Sequence, residues 1–171
     1  MLSMRNRRRS GFSLLELVLV VVIIAIVAAI AIPKMSRGAK GADESALKGD
    51  LAVLRNAVEL YKIEHGGIAP SGTSANVIDQ LTKYTDAKGT TAAAKNVATG
   101  IIYGPYLKAV PPLPVGTKKG DATIVVEADG AVTAPTGVGT SGWWYNSALG
   151  DVMANLVNTE TGDDNKAYSA Y

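Results

Sequence analysis

The stretch "RRRSGFSLLELVLVVVIIAIVAAIAIPK", residues 7–34, decides how the rest of the chain is read. Its sixteen residues from Leu17 to Ile32 are consecutively apolar, and from Phe12 onward only Ser13 and Glu16 interrupt the run. As a helix, Phe12 to Ile32 would be about 31 Å long, close to the hydrocarbon thickness of a bilayer. A helix with no polar face must be covered by lipid or by other protein, and a chain of 171 residues has no core deep enough to surround it. Arg5, Arg7, Arg8 and Arg9 precede it and favour a cytoplasmic N-terminus, while Lys34, Arg37 and Lys40 flank the far end. Glu16 stands out. A charged residue at mid-membrane costs about 2.5–3.5 kcal/mol on insertion scales, so it either has a partner and a task or lies near enough to the helix start to reach the interface. The helix dipole favours an acid in the first turn under both readings.

Beyond the run, Pro33, Gly38 and Gly41 weaken or kink a helix, with Pro33 the expected kink. The helical pattern then resumes. Leu47, Leu51, Leu54, Val58 and Tyr61 share one face, and Glu44, Lys48, Arg55, Glu59 and Lys62 fall in an arc away from it. Glu44–Lys48 and Arg55–Glu59 are spaced for i,i+4 pairing. "HGG" at 65–67 ends this amphipathic half. A short helix near Val77 to Tyr84 is expected, then extended chain around Pro105, Pro111, Pro112 and Pro114. "ATIVVEADGAVTA" reads as a hairpin about Asp129-Gly130. "GWWYNSALGDVMANL" reads as another, with Trp143 to Asn146 and Asp151 to Leu156 joined through "SALG". The fold class is therefore α+β, a long N-terminal helix packed on a small C-terminal antiparallel sheet.

Composition removes several functions. Without the four leading arginines the body has 13 basic against 15 acidic residues, which leaves no basic face for nucleic acid. The absence of cysteine excludes disulfides and thiolate chemistry. "GVGTSG", Gly137 to Gly142, matches a dinucleotide fingerprint by letter, yet the strand-like "WWYN" follows where a helix is required, so it reads as a flexible loop. His65, the only histidine, reads as a solvated helix-end residue rather than a triad member. Asn158, Glu160, Asp163, Asp164 and Asn165 could hold a hard cation such as Ca²⁺, with Asp163 and Asp164 the candidate ligands, but they lack the ordered acidic spacing of a calcium loop. A polar terminal loop without a cofactor is the preferred reading. Of Trp143 and Trp144, strand alternation places one inward and the other outward.

Taken together, "RRRSGFSLLELVLVVVIIAIVAAIAIP" resembles the class III signal of type IV pilins and of the pseudopilins of type II secretion. In that family a basic leader ends in glycine, the mature chain starts with Phe, its fifth residue is Glu, and about twenty apolar residues run to a proline. Gly11, Phe12, Glu16 and Pro33 occupy those positions. The resemblance implies cleavage between Gly11 and Phe12 by a prepilin peptidase, N-methylation of Phe12, and assembly with other pilin-like subunits by inner-membrane machinery. It implies that Glu16 pairs with the Phe12 ammonium of a neighbouring subunit. The corresponding division is a leader over 1–11, an apolar half-helix over 12–33, and a periplasmic or extracellular domain over 34–171. The precursor would cross the inner membrane once, and the product would be a periplasmic or surface filament.

Two other readings compete. A conventional signal peptide could use "AIA", Ala29 to Ala31, for cleavage and release an exported soluble protein, but the apolar run is long for that and Glu16 interrupts it. A permanently anchored one-span binding protein would explain the helix but not the Gly11-Phe12-Glu16 spacing. No enzymatic site survives inspection.

Overall fold

The computed structural model describes residues 11–128, 137, 139–162 and 164–171, with the backbone alone for 32–37. The chain divides into two units, residues 1–39 and 40–171. Helix α1, Leu14–Glu64, runs through both. Pro33 does not end it, since helical backbone continues on either side.

In the second unit the helical stripe seats the core. Leu47, Leu51, Leu54, Val58 and Tyr61 are all at most 2% exposed. Glycine ends α1 as the "HGG" signal requires: Gly66 and Gly67 take positive φ, and the Gly67 N–H donates to the Lys62 carbonyl at 2.7 Å, closing a Schellman turn. The charged arc is less uniform than its spacing implies. Glu44 is buried beside Gly162, and half-buried Arg55 donates to the carbonyls of Val152 and Tyr171 at 3.0 and 2.9 Å. Glu59 pairs with Lys62. The C-terminal segment folds back over this side of α1, so two charged positions are covered.

Helix α2, Ser74–Thr82, is capped by Thr73, whose hydroxyl accepts from the Asn76 N–H, and it contributes Val77 and Leu81 to the core. Strands β1, Tyr84–Thr85, and β2, Thr91–Ala92, form a two-stranded antiparallel ribbon. Strands β3, Ile124–Glu127, β4, Trp143–Asn146, and β5, Asp151–Ala154, form the main sheet in the order β3-β4-β5. The β4–β5 hairpin forms where expected, although β5 ends at Ala154 rather than Leu156, with Trp143 opposite Ala154 and Asn146 opposite Asp151. Buried Asn146 organises its turn, its side-chain oxygen accepting from the N–H groups of Ala148 and Leu149. β3 departs from the antiparallel expectation and runs parallel to β4, with Ile124 opposite Trp143. Parallel neighbours need a long connection, which residues 128–142 supply. The expected Asp129-Gly130 turn and its second strand lie outside the described residues.

All four residues of β4 are buried. Trp143 and Tyr145 enter the core, where the Trp143 indole N–H donates to the Pro111 carbonyl at 2.8 Å and the Tyr145 hydroxyl to Pro70 at 2.8 Å. The first ties the proline-rich chain to the sheet, and the second ties the loop before α2 to it. Trp144 faces the other way yet is only 7% exposed, which corrects the expectation of an outward ring. A central strand is flanked on both edges, here by Val125 and Met153 in register with Trp144.

Gly142 precedes β4 where two chain segments touch. A Cβ there would overlap the Asp121 carbonyl oxygen and stand 3.2 Å from the Leu113 Cβ. Gly142→Ala is therefore expected to destabilise the chain by about 1–3 kcal/mol, the usual cost of overpacking. Urea titration in detergent checks this. Unchanged stability would show that the Asp121 loop yields freely.

Candidate assembly segment

The sequence of the first unit gives a helix start at Ser13, whose carbonyl accepts the Leu17 N–H at 3.1 Å. Glu16 then falls in the first turn, where the exposed N–H groups favour an acid. From Phe12 to Ile30 the fourteen large apolar side chains are 46–85% exposed, and Glu16 among them is exposed too. The window Leu14–Ala31 has a mean hydropathy of 3.2 and none of it is buried. Each such side chain gains about 1.5–3 kcal/mol when removed from water. Their sum exceeds the net stability of an ordinary domain, so this surface is built to be covered.

Gly11 and Phe12 stand just ahead of that helix, with Phe12 the most exposed of its large apolar residues. A Cβ on Gly11 would meet nothing within 4 Å. Among the described residues, therefore, no packing contact requires glycine at this position.

The other sequence candidates sit in the second unit and do not gather. His65 is 5% exposed, not solvated: its ring stacks on Tyr61 at 3.7 Å, Nδ1 lies 2.8 Å from the Tyr61 carbonyl, and Nε2 faces the Asp86 carbonyl and the Thr85 hydroxyl. It staples the end of α1 to the β1–β2 ribbon. Asp163 lies outside the described residues. The Asp164 carboxylate accepts from the Lys166 N–H and the Tyr171 hydroxyl, which hold its pKa below the usual range; partial desolvation and that same bond push the Tyr171 hydroxyl up to about 12. Among the described residues no three His, Asp or Glu side chains converge as metal ligands. Strand β4, not a helix, follows Gly137 to Gly142, so the dinucleotide context is missing.

Sequence reasoning passed over Asp121, the hinge pin of the globular unit. Its carboxylate accepts from the Thr123 hydroxyl at 2.6 Å, the Thr123 N–H at 2.7 Å and the Gly142 N–H at 3.0 Å. "D-x-T" was its only sequence signal. Those bonds, led by the Thr123 hydroxyl, lower the Asp121 pKa from 3.8, and the N–H groups of Thr90 and Lys88 do the same for Asp86. A depressed folded pKa means the unfolded chain takes up protons first as pH falls. Stability should hold from neutrality into mild acid, then decline as pH drops from the ordinary aspartate value through the depressed ones. Thermal melts of wild type and Asp121→Asn against pH test this. The variant should lose part of the acid dependence, and an identical profile would remove Asp121 from the account.

Comparison with known proteins bears directly on the N-terminal segment. Residues 6–32 match the family model described as the prokaryotic N-terminal methylation motif. A 62-residue stretch is 31% identical to the type II secretion system core protein G of Aeromonas hydrophila, covering 36% of this chain and 43% of that protein. The match thus spans less than half the length of that relative. No solved structure matches the chain.

Proposed function

We propose, from an N-terminal segment of the type IV pilin and pseudopilin kind, that this chain is a non-enzymatic structural subunit of a type IV pilus or type II secretion pseudopilus. The carrying observation is Gly11, Phe12 and Glu16 at fixed spacing on the head of an apolar helix of which nothing is buried. The likeness to a type II secretion core protein favours the pseudopilus.

In this reading a prepilin peptidase cuts between Gly11 and Phe12 on the cytoplasmic side, and Phe12 is N-methylated. Lipid covers Leu14–Ala31 in the single-pass inner-membrane precursor. Neighbouring subunits cover it afterwards, when assembly machinery draws the chain into a periplasmic or surface filament. Glu16 pairs with the Phe12 ammonium of another subunit. Each charge alone would pay a desolvation cost in the filament interior, and their attraction offsets it. Pro33 bends the helix where lipid gives way to water. No cofactor enters the scheme, Ca²⁺ included.

Replacing Gly11 with leucine should leave uncleaved precursor in the membrane and no filaments. Mass spectrometry of the wild-type N-terminus should find N-methyl-Phe12. Normal processing of Gly11→Leu, or a mature chain starting at Ile32, would overturn the reading. Adding Ca²⁺ should leave the melting temperature unchanged. Saturating a native site a hundredfold above its Kd would add about 2.7 kcal/mol, so a chelator-sensitive rise would reinstate Asp164 as a ligand.

A further inference from the structure

Hydrogen-bond direction fixes where the protons of His65 sit. Nδ1 lies 2.8 Å from the Tyr61 carbonyl oxygen, a group that only accepts, so Nδ1 must carry a proton. Nε2 lies 2.9 Å from the Asp86 carbonyl oxygen and 3.1 Å from the Thr85 hydroxyl. The carbonyl again only accepts. The Thr85 proton is engaged elsewhere: the Tyr106 hydroxyl donates to the Glu64 carboxylate at 2.5 Å, which leaves the Tyr106 oxygen to accept from Thr85. Burial, with the Glu64 bond, pushes the Tyr106 hydroxyl well above its ordinary pKa, so its proton stays in place. Nε2 therefore faces two oxygens that offer lone pairs, and it must carry a proton too. A neutral ring has one N–H and would set a bare nitrogen lone pair against a carbonyl oxygen.

The surroundings suit a cation. The Tyr61 ring stacks on the imidazole and offers its electron-rich face, and the Tyr103 ring stands 5.1 Å away between centroids. Among the described residues the charged groups nearby are Glu64, at the far end of the Thr85–Tyr106 chain of bonds, and Asp86 and Lys88 in the turn of the β1–β2 ribbon. The Asp86 carboxylate is held by the N–H groups of Lys88 and Thr90, so it is the Asp86 carbonyl that meets the ring.

We propose that His65 is a pH-sensitive clasp, which as an imidazolium holds the β1–β2 ribbon to the end of α1 and on losing its Nε2 proton lets the ribbon loosen. The proton passes to solvent, the Thr85 hydroxyl turns from Tyr106 to donate to Nε2, and the Asp86 carbonyl loses its donor. The charged ring gains acceptors on folding, so the clasp is complete in mild acid and weakens as pH rises through neutrality. That window lies above the one in which Asp86 and Asp121, both lowered from 3.8, take up protons.

His65 is the only histidine, so ring-labelled [15N]histidine in the full-length protein in detergent micelles reports on it alone. At about pH 6 both ring nitrogens should resonate as protonated, and raising the pH to about 9 should convert Nε2 to an acceptor. Amide exchange, corrected for its intrinsic pH dependence, should quicken at least about tenfold over that range at Thr85 and Thr90, the effect of losing one charge-assisted hydrogen bond. It should stay unchanged at Leu51 and Leu54 in the core stripe. His65→Gln, which cannot titrate, should abolish the pH dependence in the ribbon. Thr85→Val takes away the donor that serves the neutral ring and should steepen the rise. Should His65→Gln fail to fold, the wild-type spectra and Thr85→Val decide. A ring whose proton count does not change between the two pH values, or ribbon exchange that follows pH equally in His65→Gln, would overturn the proposal.

Discussion

Everything in this chain answers to one surface: the helix from Leu14 to Ala31, of which no residue is buried by the fold. An apolar cylinder of that length cannot rest in water. Two kinds of cover are available, hydrocarbon and other helices of the same type. A chain that uses one after the other must carry instructions for the exchange. Under the proposed function the residues at the head of the helix have that character: no described residue packs where a Gly11 Cβ would stand, and Glu16 weakens a membrane helix that would be more comfortable without it.

The second unit solves a separate problem, the stability of a small domain without disulfides. It does so by wrapping loops and a three-stranded sheet around one stripe of α1. The proline-rich chain is fastened by Trp143, the loop before α2 by Tyr145, the C-terminus by Arg55, and the ribbon by His65. The opposite side of the same helix stays open.

What the sequence disclosed follows from the range of the interactions involved. The apolar run, the core stripe of α1, the "HGG" stop and the β4–β5 hairpin are local patterns, and each was readable from neighbours in sequence. The parallel partnership of β3 with β4 was not, because pairing across residues 128–142 leaves no periodicity behind. β1 and β2 have two residues each, too few to alternate. His65, Glu44 and Trp144 carry polar or bulky side chains whose burial is decided by distant segments: Asp86, Gly162 and the strands beside β4. Asp121 was missed for the same reason, since one of its three bonds goes to Gly142.

The central claim is that Glu16 serves assembly rather than insertion, and yield of filaments from Glu16 variants tests it most directly. Glu16→Ala removes a charge from the helix, so membrane insertion and leader cleavage should survive. The assembled state would then bury an ammonium without its counter-charge, a loss of about 3–5 kcal/mol at each interface, and growth should fail. Glu16→Gln should behave as alanine, and Glu16→Asp, charged but shorter, should assemble in part. Sheared filaments counted by electron microscopy, beside cleavage measured by mass spectrometry, give the answer. Processed chains without filaments are the predicted result, and abundant normal filaments from Glu16→Ala would contradict it.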